Sequence, residues 1–302
     1  WSRGFRAPAL DELYGPETFS AEEATDYATC AEDGTAVTDC PSRQFDTYYR
    51  TNDSLDAEKS QTFSIGGNWR VKEYLELDLG YWVVEVDDVV QQSDTQDVFY
   101  AEAAGIDLDT NSGTYVDRTG ALPVVYSSYI NEGELNVAGL DFRVSGLFET
   151  DGLGSFGGDF LWSHSLKYEQ AAFYKGPIQE TKGYNVQPED RMQAVLQWDF
   201  KQHNVTLVLD YIGPHSEADF VEVGDDGVAS LVTSNDELDS WTTLNLSYSY
   251  DAGRFGAIKV GARNLTNEAP VLDRTEKFAR DHYDLYDNTG QVFYFQYKLV
   301  ME

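Results

Sequence analysis

The sequence predicts an all-β fold, an antiparallel transmembrane β-barrel wall, and three observations predict it. Apolar and polar residues alternate with a period of two in several separate stretches, connections between these stretches are by turns short and long, and helical periodicity is almost absent. Successive side chains of a strand point to opposite faces, so the alternation describes a sheet with one apolar and one polar side. A wall between lipid and water reads this way. The core of a soluble protein of 302 residues would instead contain blocks of Val, Ile and Leu.

In chain order, ten strands are expected over about 1–12, 58–70, 74–90, 124–149, 157–170, 188–200, 204–215, 239–251, 256–266 and 289–300. Leu75, Leu77, Leu79, Tyr81 and Val83 share one face of the third strand, against Glu76, Asp78 and Gly80 on the other. Met192, Ala194, Leu196, Trp198 and Phe200 do the same in the sixth, and Val205, Leu207, Leu209 and Tyr211 in the seventh. The eighth has Leu244, Leu246, Tyr248 and Tyr250, and the last has Phe293, Phe295, Tyr297 and Leu299. Gly133 and Gly139 inside the fourth strand mark an expected bulge or bend.

The connections at 70–73, 150–155, 201–204 and 251–255 are short. Those at about 13–57, 91–123, 171–188, 216–238 and 267–288 are long and polar. Outer-membrane barrels keep short turns on the periplasmic side and long loops outside. With this count the first strand runs outward and the last inward, so the chain ends on the short-turn side.

Composition narrows the class further. With 53 acidic and 21 basic residues the net charge is −32, the wrong sign for a nucleic-acid partner. Solubility in a saline habitat is the ordinary reason for such a surface; bridging by divalent cations and attraction of a cationic ligand are the others. No apolar run reaches the ~20 residues of a membrane-spanning helix. Trp1-Ser2-Arg3-Gly4-Phe5 lacks the charged-then-apolar build of a signal peptide. Cys30 and Cys40, the two cysteines, sit in a polar stretch without the further ligands zinc needs, and are expected to close a loop as a disulfide. Trp69, Tyr74, Trp198, Tyr211, Trp241, Tyr248 and Tyr250 fall near strand ends or on outward faces, as interface girdles require.

Four segments in order resemble those of TonB-dependent receptors. Gly4-Phe5-Arg6-Ala7-Pro8-Ala9-Leu10, then Glu12-Leu13-Tyr14, is similar to the family's FRAP…EL segment. Leu55-Asp56-Ala57-Glu58-Lys59-Ser60 resembles its L-x-P-E-x-S segment with Ala57 for the usual Pro. Gly139-Leu140-Asp141 is similar to its G-V-E step, and Arg263-Asn264-Leu265-Thr266-Asn267 to the N-L segment before the last outer loop. The ending Leu299-Val300-Met301-Glu302 departs from the aromatic terminus usual in such barrels. The resemblance implies the C-terminal part of a barrel of about 22 strands around an N-terminal plug. It implies energy-coupled uptake, through TonB and a segment outside this sequence, of an iron chelate, saccharide, peptide or cobalamin-like ligand across a Gram-negative outer membrane rich in lipopolysaccharide. Ten strands alone would leave open edges in lipid, so the chain is expected to be a fragment or to be completed by another chain. A passive channel and a soluble extracellular β-rich binding module are the other readings; a lipoprotein lid is a further partner such a barrel could take.

No catalytic constellation accompanies this pattern, and no enzyme is expected. Gly152-Leu153-Gly154-Ser155-Phe156-Gly157 has the spacing of a dinucleotide loop but joins two strands, so it reads as a turn. His164, His203, His215 and His282 are scattered. Asp107, Asp109 and Asn111 resemble part of a calcium loop, although the glycine comes one place late and Arg118 stands where Glu is needed. A solvated acidic loop is the ordinary reading, with calcium the metal this composition favours and no other cofactor expected. On the polar strand face, Asp141, Arg143, Gln193, Gln197, Asn245, Lys259 and Arg263 are candidate lumen-lining residues. Phe278, His282, Tyr283 and Tyr286 are candidate ligand contacts from the last long loop. Acidic loops and few arginines weigh against an anionic siderophore held by clustered arginines, and fit a cationic, neutral or peptide ligand better.

Overall fold

The structure, a computed structural model, describes all residues except 109, 112, 172, 185, 217–221, 224–228, 231–236, 274–279, 282–284 and 300–302. Ten strands run in chain order: β1 (Ser2–Arg6), β2 (Glu58–Lys72), β3 (Leu75–Gln91), β4 (Ile130–Thr150), β5 (Gly154–Ala171), β6 (Asp190–Phe200), β7 (His203–Ile212), β8 (Trp241–Asp251), β9 (Ala257–Arg263) and β10 (Val292–Lys298). Each pairs antiparallel with the next in sequence, and Ile178–Glu180 adds a short pairing to β5. Among the described residues β1 and β10 each have one neighbour, so the barrel is not closed.

Tight turns at the ends of β2, β4, β6 and β8 produce this meander. Between β6 and β7 the chain reverses at Lys201, whose φ is 56°, with the amide of Asn204 bonded to Asp199 at 2.8 Å. The glycine-rich stretch 152–157 is the β4–β5 turn and the start of β5, so it makes a hairpin and no phosphate loop.

Cross-strand register sorts the side chains into two faces. Ile65, Tyr81, Leu140 and His164 form one outward row, and Trp69, Leu77, Val144, Phe160, Ala194, Leu209 and Leu244 continue that face nearer the short turns. Leu196 is 55% exposed and Phe295 68%. This band stops where Gln61, Glu85, Asn136 and Glu169 align in one polar row. An apolar band of limited height, flanked by polar positions, is what a bilayer requires of a barrel exterior. At the short-turn end lie Trp69, Tyr74, Phe148, Trp198, Tyr250 and Tyr297; Tyr211 and Tyr248 face outward higher up. Trp241 does not join them. It pairs with Ile212 on the inner face and is 5% exposed, so its expected place in an outer girdle is corrected by the parity of β8.

β3, β4 and β5, of 17, 21 and 18 residues, are longer than the ~9–11 needed to cross a bilayer. Their register shifts at Val86/Val89 opposite Gly133 and at Ala138/Gly139, the two glycines expected to mark irregularity. At Gly139 a Cβ would collide with the ring of Trp82.

The first two long connections fold together. Thr18–Thr25, Ser42–Arg50, Val124–Ser128 and Tyr115–Asp117 form a second, four-stranded sheet in that spatial order. Its central pair, Ser42–Arg50 with Val124–Ser128, is parallel. Helices α1 (Leu10–Tyr14), α2 (Tyr27–Asp33) and α3 (Thr95–Ala103) accompany it. Asp26 and Asp94 cap α2 and α3 by accepting from Thr29 N and Asp97 N. The sheet and α3 enclose Ala24, Phe45, Val98, Phe99 and Val125, with the Phe45 and Phe99 rings edge-on at 4.8 Å. Ala101, Ile130, Phe173 and Tyr174 form a second cluster that brings in the third connection.

Two of the expected strands differ most from those observed. The first ends at Arg6: Pro8 interrupts it, and the Glu12 carboxylate accepts from Ala9 N at 2.6 Å to start α1. The expected strand 124–149 is two strands in two sheets, separated at Tyr129, whose carbonyl accepts from the Asn52 amide at 2.9 Å.

Candidate functional site on the inner wall

Asp141, Arg143, Gln193, Gln197, Asn245, Lys259 and Arg263 all fall on the inner face. The structure divides them. Gln193, Asn245 and Arg263 line a cavity of about 650 Å³ between β5 and β10, roofed by the end of the last long connection. Asp141 and Arg143 line a second, more open hollow of about 630 Å³ with Asn68 and Asp78. Gln197 and Lys259 border neither.

The larger cavity follows from strand register. Arg191, Ile212 and Trp241 occupy one inward row, and Gln193, Asp210 and Thr243 the next. Beyond β9 the chain turns a corner at Arg263-Asn264-Leu265-Thr266-Asn267. Asn264 and Asn267 adopt φ of 46° and 56°, conformations asparagine tolerates better than most residues. Asn264 N donates to Asn245 Oδ1 at 2.8 Å, and its side chain bonds both backbone groups of Glu268. The corner thus fixes Arg263 at the cavity edge.

Most polar groups of the cavity are already matched. The Asp210 carboxylate accepts from Gln193 Nε2 at 2.7 Å and Asn245 Nδ2 at 3.2 Å. Asp287 accepts from both the backbone and the hydroxyl of Thr289, which holds its carboxyl below the usual range. In the second hollow Asp141 accepts from Ser163 Oγ at 2.6 Å and Arg143 pairs with Asp159 at 2.6 Å.

Tyr286, a candidate ligand contact from the last long loop, is 4% exposed and packed against Trp241, with ring centroids 5.4 Å apart. Its hydroxyl lies 3.4 Å from His215 Nε2. With Ile212 and Leu285 it pins the last connection to the inner wall. Phe278, His282 and Tyr283 lie outside the described residues, as does Asp109. Asp107 is exposed and Asn111 surface-placed. The described residues hold no group of three His, Cys, Asp or Glu placed to share a metal. Arg118, the residue out of place in a calcium loop, instead binds Asp26 and Glu102. Cys30 and Cys40 are bonded, with Cα atoms 5.8 Å apart.

Arg191, Asp210 and Trp241 were absent from the expected set. Parity alone could have found them: Met192 and Thr242 face outward, so their neighbours Arg191 and Trp241 face inward.

A meandering wall, apolar outside and polar within, with long outer connections and an interior cavity, is the architecture of an outer-membrane β-barrel. Residues 1–265 match the family model "TonB dependent receptor-like, beta-barrel", and the chain belongs to that family. Among solved structures it is similar to a ferric enterobactin receptor mutant from Pseudomonas aeruginosa: TM-score 0.63, 16% identity, 97% of this chain and 36% of that one. The siderophore receptor PirA from Acinetobacter baumannii gives TM-score 0.58 and 10% identity, over 97% of this chain and 37% of that one. The outer-membrane transporter YddB from Escherichia coli gives 0.55 and 9%, over 87% and 35%. The chain thus spans about a third of the length of these structures. No curated protein gives a significant match.

Proposed function

We propose that this chain forms the C-terminal third of a TonB-dependent transporter in a Gram-negative outer membrane, importing a small nutrient along its inner wall. The observation that carries this reading is the two-faced meander: outward Leu, Phe, Trp and Tyr at bilayer height, and an inward polar face with a cavity of about 650 Å³. Family membership supports it, and the named neighbours are a ferric enterobactin receptor, a siderophore receptor and an outer-membrane transporter. In this reading the remaining wall strands pair with β1 and β10, a plug fills the lumen, and an N-terminal segment engages TonB. Lipid and lipopolysaccharide contact the outer face. The nutrient is an iron chelate, saccharide, peptide or cobalamin-like molecule.

The test is uptake by cells carrying the full-length gene, with and without a functional TonB and with the proton gradient collapsed. Uptake that stops in both conditions is expected. Uptake that persists would make the protein a passive channel, and fractionation of the protein away from the outer membrane would end the membrane reading.

A further inference from the structure

The outer four-stranded sheet has a free edge. Thr18–Thr25 is its terminal strand, paired on one side with Ser42–Arg50 and on the other with no strand among the described residues. Thr25 shows which backbone groups look outward. The Gln96 side-chain amide accepts from Thr25 N at 2.8 Å and donates to Thr25 O at 3.3 Å, as a neighbouring strand would. In an antiparallel strand every second residue points its N–H and C=O to the same side, so Phe19, Ala21 and Glu23 aim theirs as Thr25 does. Among the described residues these groups have no partner. Their side chains are exposed as well, on the face away from the Phe45–Phe99 core. The second observation is a row of rings across that face. Phe19, Tyr48, Tyr126 and Tyr115 stand opposite one another on the four strands, with successive centroids 5.4, 5.4 and 4.7 Å apart. The row stops at the edge on Phe19, which is 57% exposed. The third observation is charge: residues 17–33 include no Lys or Arg, and neither Glu22 nor Glu23 is in an ion pair among the described residues.

We propose that this edge is a docking site for a short, extended, basic peptide, which adds as a fifth strand, stacks an aromatic side chain on Phe19 and sets a Lys or Arg beside Glu23. The backbone supplies half of the site, because three residues each offer one donor and one acceptor in register. Phe19 and Glu23 share a face four residues apart, so the peptide carries its aromatic and basic residues at the same separation. Charge selects the occupant. A second copy of this chain would bring another net charge of −32 and the same acids within one strand spacing, about 4.8 Å. Charged side chains on an edge keep like-charged chains away. The same acids favour a Lys or Arg across the strand pair. Six extended residues, about 20 Å, match the edge from Thr18 to Glu23. The inference goes beyond the transport reading and does not need it.

The experiment is calorimetric titration of the full-length protein, extracted natively in detergent, with the end-blocked peptide Lys-Thr-Val-Thr-Phe-Thr. Paired antiparallel, its Lys lies opposite Glu23, its Val opposite Ala21 and its Phe opposite Phe19. Binding is expected, weaker as salt is raised, and about tenfold weaker when Glu replaces the peptide's Lys. Methylating the Val nitrogen, which faces the edge, should remove binding; methylating the nitrogen of the Thr after it, which faces away, should not. Ala21→Pro removes one outward N–H and leaves the bonds to Ser42–Arg50, so it should lose the peptide at unchanged melting temperature. Glu23→Lys should reverse the preference between the Lys and Glu peptides. If either variant fails to assemble, the two methylated peptides on the wild type decide the matter. No binding at millimolar concentration, equal binding of the two methylated peptides, or unaltered affinity in Ala21→Pro each overturns the proposal. A dimer in sedimentation that Ala21→Pro dissociates would give the edge to a second copy and overturn it as well. The titration needs no energy source, so a protein that takes the peptide here yet imports nothing through TonB leaves this inference standing and removes only the transport reading.

Discussion

Arg118 grips the carboxylate of Asp26 with both terminal nitrogens, each bond 2.8 Å, across a sequence separation of 92 residues. The same guanidinium binds Glu102 on α3. One side chain therefore ties the first long connection, the second, and the helix between their sheet strands. Burial works to raise the Asp26 carboxyl, but Arg118 and Thr29 outweigh it and hold it below the ordinary aspartate range.

Replacing Arg118 by Ala leaves Asp26 buried without its counter-charge, and should destabilise the outer subdomain by about 3 kcal/mol. Limited proteolysis would show this as faster cleavage within 13–57 at unchanged stability of the wall. The sign of the pH effect follows from the lowered Asp26 group: the clamp stabilises above the unfolded aspartate pKa and is lost as pH falls through the depressed folded value. Strongly acid conditions should therefore loosen the wild type, whereas in Arg118→Ala protonation relieves the uncompensated Asp26 carboxylate and acid should cost less stability.

Asp97 behaves in the opposite sense. Burial, aided by neighbouring Asp94, pushes its carboxyl up to about 7, and its side chain bonds no described residue. A raised acid favours the protonated folded state, so stability contributed by this group falls as pH rises from about 4 to about 7 and is level above. Asp97→Asn should abolish that slope and stabilise the outer subdomain at pH 8 by about 1 kcal/mol, a value discounted for the partial exposure of the group. Hydrogen exchange of α3 at pH 5 and pH 8 would check it, and equal slopes in both proteins would contradict it.

The Cys30–Cys40 bond closes a loop of 10-residue separation and should contribute about 2–3 kcal/mol to that subdomain. Replacing both cysteines by Ala should lower hydrogen-exchange protection in α2, which begins beside Asp26, and leave β6 to β8 as protected as before.

The two faces of β6 provide the sharpest contrast. Leu196→Arg places a charge in the outward apolar band and should cost about 2–4 kcal/mol near the bilayer midplane, read as lost outer-membrane assembly. Gln197→Arg, one residue on but facing inward, should assemble normally. Equal tolerance of both would refute the orientation of the wall.

The wall was legible because its rule is local: a period of two within one strand sorts Leu196 from Gln197 without knowledge of any partner. The same parity reaches Arg191 and Trp241 once extended past Met192 and Leu244 to the strand ends. The outer subdomain was not legible, for a physical reason. Val124–Ser128 alternates like Ile130–Thr150 and adjoins it, so nothing within it reveals that it pairs in another sheet with Ser42–Arg50. The Asp26–Arg118 clamp likewise depends on two segments meeting far apart in sequence. Tyr286 packs against Trp241 as an anchor of its connection, a part the sequence does not distinguish, since an aromatic in a polar loop reads equally as an anchor or as a contact.

The parallel pairing of Ser42–Arg50 with Val124–Ser128 bears on how such a protein can change over generations. Between those two strands the chain descends and returns through β2 and β3, so the outer sheet is woven from pieces that the wall itself separates. Exchange of either connection alone with a homologue would strip the other of its partner strand, its half of the Phe45–Phe99 core and one end of the Arg118 clamp. The recombination unit is therefore residues 13–128, the wall hairpin of β2 and β3 included, and chimaeras cut inside that span should be selected against.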